Sequence, residues 1–187
     1  MKKLSGGIIA IAIIAIVVAL VVGAYNGMIS KREAVGSKLS DLDVTLQRRC
    51  DLIPNLVNTV KGYASHETEI IDKVTEARTK LVNAGSLEEK SAANDELSKS
   101  LSALLVVVEN YPDLKSAENF RQLSDELAGT ENRIAVARKN YNDAVKSYNL
   151  EIKKFPGSVI AGMFNFEEAT YFEASDDASK VPEVSFD

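Results

Sequence analysis

The chain has no tryptophan, a single cysteine (Cys50) and a single histidine (His66). One cysteine excludes an intramolecular disulfide and leaves the redox compartment open, and one histidine excludes a multi-histidine metal site. His66-Glu67 begins like a zinc-protease motif, but Ile70 stands where the second histidine belongs. Cys50 and His66 are sixteen residues apart, about 24 Å along one helix, too far to work as nucleophile and base. No Walker loop, G-x-G-x-x-G or G-x-S-x-G is present. The carboxylates are plentiful, but on helices they read as solvated faces and i,i+4 partners. These absences exclude the commoner catalytic designs. No enzyme activity, cofactor or metal is expected.

Positive charge is also short. The net charge is −5, and residues 167–187 alone carry seven acidic side chains against Lys180. The rest of the chain is close to neutral, so it has no large basic surface and nucleic acid is not an expected partner. Residues 173–187, small and acidic, are expected to be a disordered tail.

With four prolines and ten glycines in 187 residues, punctuation is sparse and long elements are expected. The first long feature is apolar. Residues 4–25 carry no charge, and residues 8–22 are all Ile, Val, Ala or Leu. About 20 such residues match the roughly 30 Å hydrocarbon core of a bilayer. A cleaved signal peptide is the rival reading, with Lys2 and Lys3 ahead of the run and Val22-Gly23-Ala24 as a cleavage site. The run reaches the upper limit of such a segment, which favours a retained anchor over residues 1–25. Orientation is barely encoded, because Lys31, Arg32 and Lys38 follow the span while Lys2, Lys3 and the amino terminus precede it. Ala15, Ala19, Gly23 and Gly27 form a small-xxx-small ladder on one side, a pattern that lets membrane helices approach closely.

Heptad rhythm fills the remainder. Phe120, Leu127, Ile134, Tyr141, Tyr148 and Phe155 alternate with Leu123, Thr130, Ala137, Ala144 and Glu151. Every gap is three or four residues, so both sets lie on one stripe of a long helix. An earlier stripe runs from Tyr25 through Met28, Arg32, Val35, Leu39, Leu42, Leu46, Arg49, Ile53, Leu56, Val60, Tyr63, Glu67, Ile70, Val74 and Ala77 to Leu81. It crosses Pro54 without changing phase, which predicts a kinked but continuous helix rather than two joined by a loop. Cys50, Val57, Ala64 and Ile71 widen that stripe beyond a two-stranded seam.

Asn83-Ala84-Gly85 ends the helix, and Ser86-Leu87-Glu88-Glu89 has the form of a capping box that begins the next. That helix carries Leu97, Leu101, Leu104, Leu105 and Val108, and its apolar run 104–108 implies burial on more than one side. Tyr111-Pro112-Asp113 breaks it, and Phe155-Pro156-Gly157 stops the last long helix. Residues 158–172 read as a short turn or helix closing one end. The fold class is therefore all-α: an N-terminal transmembrane helix followed by a long antiparallel bundle of three to four helices over residues 26–172.

Polar residues inside the stripes are the candidate sites. Arg49 and Glu67, about 27 Å apart on one helix, need partners elsewhere, and Glu131 and Arg138 beside the last seam are their complements. Such groups fix register and pairing at a cost in stability, or mark a ligand or partner contact. Asn142 and Asn149 each follow a seam tyrosine, in Tyr141-Asn142 and Tyr148-Asn149, and are placed to bond laterally between helices.

Taken in order, these segments resemble the LemA family. The resemblance rests on Tyr25-Asn26 at the end of the apolar run and on Arg48-Arg49-Cys50-Asp51-Leu52-Ile53-Pro54-Asn55-Leu56-Val57. Lys61-Gly62-Tyr63-Ala64-Ser65-His66-Glu67, Glu76-Ala77-Arg78 and Glu109-Asn110-Tyr111-Pro112-Asp113-Leu114-Lys115 extend it. Thr130-Glu131-Asn132-Arg133-Ile134-Ala135, Ala137-Arg138, the two Tyr-Asn pairs and Phe155-Pro156 complete it. The resemblance implies a single-pass protein of the bacterial cell membrane with a short extracellular N-terminus and a cytoplasmic bundle. The family includes proteins of magnetosome membrane formation, and some members are encoded beside membrane metalloproteases. It implies no catalytic residue.

Two functions are compatible with this reading. The first is a non-enzymatic scaffold or organiser that works at the lipid bilayer as a homo-oligomer. The second is a regulatory or sensing module that binds a small ligand or a membrane protein such as a metalloprotease.

Overall fold

The computed structural model describes residues 6–173, and all regular structure among them is helical. Six helices follow in order: α1 (Gly6–Tyr63), α2 (Thr68–Asn83), α3 (Leu87–Val108), α4 (Pro112–Ser116), α5 (Glu118–Lys153) and α6 (Gly157–Phe164). The all-α class expected from the heptads is the class observed. The acidic stretch 174–187 lies outside the described residues, so the expected disordered tail is not tested there.

The chain divides into two compact units. One comprises Met1–Leu39 with Asn140–Thr170, and the other Ser40–Lys139 with Tyr171–Asp187. α1 is unbroken at residues 25–26, where the sequence suggested an anchor boundary; the division between units falls after Leu39.

The second unit packs α1 from Ser40 onward against α2, α3 and the first part of α5. Leu42, Leu46, Ile53, Leu56 and Val60 of α1 are buried, and Leu97, Leu101, Leu104 and Val108 of α3 form its second apolar stripe. Cys50 and Val57, the positions that widen the α1 stripe, are buried as well. Four helices thus share one core, as the broad stripe requires.

α1 runs through Pro54, as its uninterrupted register predicts. A proline there removes the N–H that would donate to the carbonyl of Cys50, and its ring crowds that same carbonyl. Arg78 of α2 supplies the missing donor, its Nε lying 2.8 Å from the Cys50 oxygen. The helix keeps its continuity because a neighbouring helix satisfies the bond that proline deletes.

Two expectations are corrected here. The stripe traced to Leu81 is not one helix: α1 ends at Tyr63, residues 64–67 are non-helical, and α2 begins at Thr68. Beyond the break the counted stripe still falls on the buried face, with Val74, Ala77 and Leu81 buried and Ile71 buried beside half-buried Ile70, so the rhythm alone does not betray the turn. Arg78 meets the backbone of Cys50, 28 residues earlier, so α2 folds back along α1. Gly62, Ser65 and His66 are mediocre helix formers, and burying the α2 face against α1 outweighs the turns lost in reversing.

The apolar run of α3 is the second correction. Leu104 and Val108 are buried, but Leu105 is 48% and Val106 70% exposed, so α3 is covered on one side only. Its start agrees with the sequence, because Ser86 and Glu89 form the reciprocal capping box. α4, a single turn with Pro112 at its first position, was not foreseen.

In the first unit, α1 and the end of α5 run antiparallel, with Lys31 3.0 Å from Glu151 and Met28 beside Gly157. Tyr141, Val145, Tyr148 and Ile152 carry the buried stripe of α5. Phe155 leaves it and is 84% exposed: the helix has ended at Lys153, so the heptad no longer directs that ring inward. Gly157 opens α6 where there is no room for a side chain. A Cβ there would stand 2.2 Å from the Glu151 carbonyl oxygen and 3.0 Å from the Met28 side chain. Asn165, in the left-handed region at φ 53°, terminates α6.

Candidate functional site

Arg49 sits on the buried face of α1 with 3% of its surface exposed. One guanidinium nitrogen, Nη1, donates to Asn94 Oδ1 on α3 at 2.6 Å and lies 2.6 Å from Glu131 Oε2 on α5. Three helices are therefore joined through one charged group. Burial pushes the Arg49 pKa down, and Glu131, Cys50 and Asp95 push it back up. A guanidinium retains its proton in proteins, so the consequence is a buried cation held by one carboxylate and one amide oxygen. Glu131 is 48% exposed on its side chain and remains partly hydrated. Arg49 Nε has no hydrogen-bond partner among the described residues.

The sequence placed Arg49 in a seam of α1 and Glu131 beside the seam of α5, and the structure brings the two within 2.6 Å. Asn94 was missed, although it was legible: residues 94, 97, 101, 104 and 108 keep one 3-4 rhythm, which puts an amide on the buried stripe of α3. Around the trio, Arg48–Glu126 at 3.0 Å and Lys90–Asp43 at 2.7 Å tie the same helices at their edges.

Glu67 does not occupy a seam. It lies in the break before α2, half-buried, and accepts a hydrogen bond from the Tyr111 hydroxyl at 2.7 Å. That bond, to a carboxylate, raises the Tyr111 pKa. Arg138 is half-buried on α5 and is not the complement of Glu67. The misreading follows from the broken helix, since a residue in a turn has no heptad phase.

Burial raises the Cys50 thiol pKa above its ordinary value, against the pull of Arg78. A neutral, buried thiol is a packing group rather than a nucleophile.

In the first unit, the tyrosines and Asn149 do something the sequence did not show. Residues 165–170 leave α6 as a non-helical segment, and α5 holds its backbone. Tyr141 donates to the Thr170 carbonyl at 2.7 Å and Tyr148 to the Glu167 carbonyl at 2.9 Å. Asn149 makes two bonds to Ala169, accepting from its N–H and donating to its carbonyl, both at 2.9 Å. The side-chain amide thus stands in for the peptide group of a neighbouring strand. Asn149 bonds to this segment rather than to another helix. Asn142 is half-buried on the same helix. Tyr25 packs on Phe164 and Phe166 with ring centroids 4.9 and 5.7 Å away, and Arg32 lies over Phe166.

Ala15, Ala19 and Gly23 are exposed along α1, and Gly27 is half-buried. A Cβ added at Gly23 or Gly27 would meet nothing within 4 Å, so no other described part of the chain fills the ladder. The apolar part of α1 has a mean hydropathy of 3.1 over its most apolar 18 residues, none of them buried. By length and composition it can cross a membrane.

The LemA family model matches residues 38–186. Magnetosome protein MamQ 2 of Paramagnetospirillum magneticum is 30% identical over 175 residues, which cover 80% of this chain and 64% of that protein. MamQ of Magnetospirillum gryphiswaldense is 27% identical over 174 residues, covering 79% and 64%. Protein LemA of Metamycoplasma hominis is 27% identical over 160 residues, covering 83% and 71%. The chain therefore spans a little under two thirds of the length of its magnetosome relatives. None of these descriptions names an enzyme.

Proposed function

The chain belongs to the LemA family, and from that premise we propose that it is a membrane-anchored, non-enzymatic helical bundle that organises membrane-associated partners, itself included. The observation that carries the reading is α1. Its residues 8–22 are apolar on every side and uncovered, and the same unbroken helix goes on to supply Arg49 and the core of the second unit. So much exposed apolar surface is unsustainable in water and natural in lipid. The magnetosome relatives carry an organelle name, which supports a role at membranes. The cell membrane is the location proposed, with the second unit in the cytoplasm.

Self-association would use the Ala15, Ala19, Gly23 and Gly27 ladder, which no other described residue covers. Tethering in a bilayer raises the effective concentration of copies, so modest affinity is enough. The test is crosslinking in native membranes of the wild type and of Ala19→Leu/Gly23→Leu. Leucine suits lipid but blocks close helix approach, so oligomers should weaken while insertion persists. Equal ladders from both would place assembly outside the ladder. A monomer crosslinked mainly to a different membrane protein, such as a metalloprotease, would replace self-assembly with the regulatory reading.

A further inference from the structure

Among the described residues, two buried side-chain polar atoms lack a hydrogen-bond partner: Arg49 Nε and Ser124 Oγ. They come from different helices, α1 and α5, and both residues line the same cavity of about 280 Å³ in the second unit. Leu56, Leu104 and Leu127 give that cavity buried apolar walls, and Leu105 of α3, half-exposed, stands at its rim. We propose that this cavity binds a small uncharged molecule with an apolar body and one carbonyl oxygen, received by Arg49 Nε–H and Ser124 Oγ–H.

The chemistry selects the class. Both free groups can donate, and a carbonyl oxygen has two lone pairs to receive them. A buried donor left without an acceptor carries its full desolvation penalty, so an occupant with an acceptor is favoured over a hydrocarbon. An anion is disfavoured, because Glu131 already lies 2.6 Å from the Arg49 guanidinium and Asp95 also acts on it. A second negative charge in an apolar pocket would be unmatched. The volume, about 280 Å³, falls just below the usual ligand-pocket range of about 300–1,000 Å³, so the occupant must be small. Ketones, lactones and short acyl amides fit this description. The inference does not rest on self-association, which concerns another part of α1.

The test uses the full chain in lipid nanodiscs with methyl-labelled leucine, read by methyl NMR, with free probe measured against empty discs. Three probes of one shape separate the alternatives: cyclohexanone, methylenecyclohexane, which lacks the acceptor, and cyclohexanecarboxylate, which is charged. Cyclohexanone should shift Leu104 and Leu127 methyls saturably, with methylenecyclohexane about ten- to a hundredfold weaker, two hydrogen bonds' worth of affinity, and cyclohexanecarboxylate also weaker because its charge is unmatched. Ser124→Ala should weaken the ketone severalfold and leave methylenecyclohexane unchanged, while Leu105→Phe should weaken both. A folded Ser124→Ala chain that binds the ketone as the wild type does would overturn the proposal. So would the absence of saturable shifts, equal affinity for ketone and hydrocarbon, or tightest binding of the carboxylate.

Discussion

Replacing Arg78 by methionine should destabilise the protein through a proline 24 residues away in sequence. Cys50 is 2% exposed, and its carbonyl has lost its helical donor because Pro54 has no N–H. Arg78 Nε, 2.8 Å away, makes a charge-assisted bond to it. Such bonds contribute about 1.5–3 kcal/mol, and removing the donor leaves a buried acceptor unpaired. Arg78 is half-buried, and the carbonyl of the variant gains some access to water, so about 2 kcal/mol is expected for Arg78→Met. Pro54→Ala restores the intrahelical donor and relieves the interior-proline cost of about 3 kcal/mol; because the helical N–H competes with Arg78, the net gain should be about 1–2 kcal/mol. In the Pro54→Ala background Arg78→Met should then cost under about 1 kcal/mol, a coupling of about 1–2 kcal/mol. The assay is urea unfolding of the full chain in nanodiscs by far-UV circular dichroism, for wild type, both single variants and the double. Strict additivity would refute the reasoning, because it would mean that proline and arginine do not share that carbonyl.

Arg49→Met, which keeps apolar bulk but strands Asn94, should cost about 1–3 kcal/mol; adding Asn94→Leu should recover most of that loss in the same unfolding assay. Glu131→Gln should cost less, about 1–2 kcal/mol, because its half-exposed side chain is partly hydrated and the neutral amide still accepts. Gly157→Ala should destabilise by about 1–3 kcal/mol, since its Cβ would stand 2.2 Å from a backbone oxygen, and a lower Tm would show it. Burial raises the Cys50 pKa, so its contribution to stability is complete below the ordinary thiol value of about 8.5 and is lost as pH rises through the higher folded value. Between about pH 8.5 and 9.5, below the tyrosine range, Cys50→Ala should flatten the decline of urea midpoint with pH.

The class of the fold, the capping box at Ser86 and the passage of α1 through Pro54 were legible because each is a local rule written in side chains. Arg49 with Glu131 was legible for the same reason, a charge inside one seam and an opposite charge beside another, and Asn94 could have been added from the α3 rhythm. The reversal at residues 64–67 was not, because a heptad can be counted across a turn as easily as along a helix. Pro54 identifies the carbonyl that needs a donor, but only the packed α2 shows that Arg78 provides it. Tyr141, Tyr148 and Asn149 grip a segment by its backbone, and backbone partners leave no residue-type signature. Phe155 shows the same limit from the other side: periodicity describes a helix and says nothing once the helix stops.

The unbroken backbone of α1 has a mechanical consequence. Between the apolar run and Met28 there is no flexible joint, so the small-residue side of the apolar run and the side that meets Glu151 are locked in rotational phase. One residue inserted after Gly23 would turn the upstream helix by about 100° and lift it by about 1.5 Å, while seven would restore the phase to within about 20° at a lift of about 10.5 Å. Any property that depends on which side of the span faces a neighbour should oscillate with insertion length, with a period of about 3.6 residues. A property that depends on tethering alone should be indifferent to it.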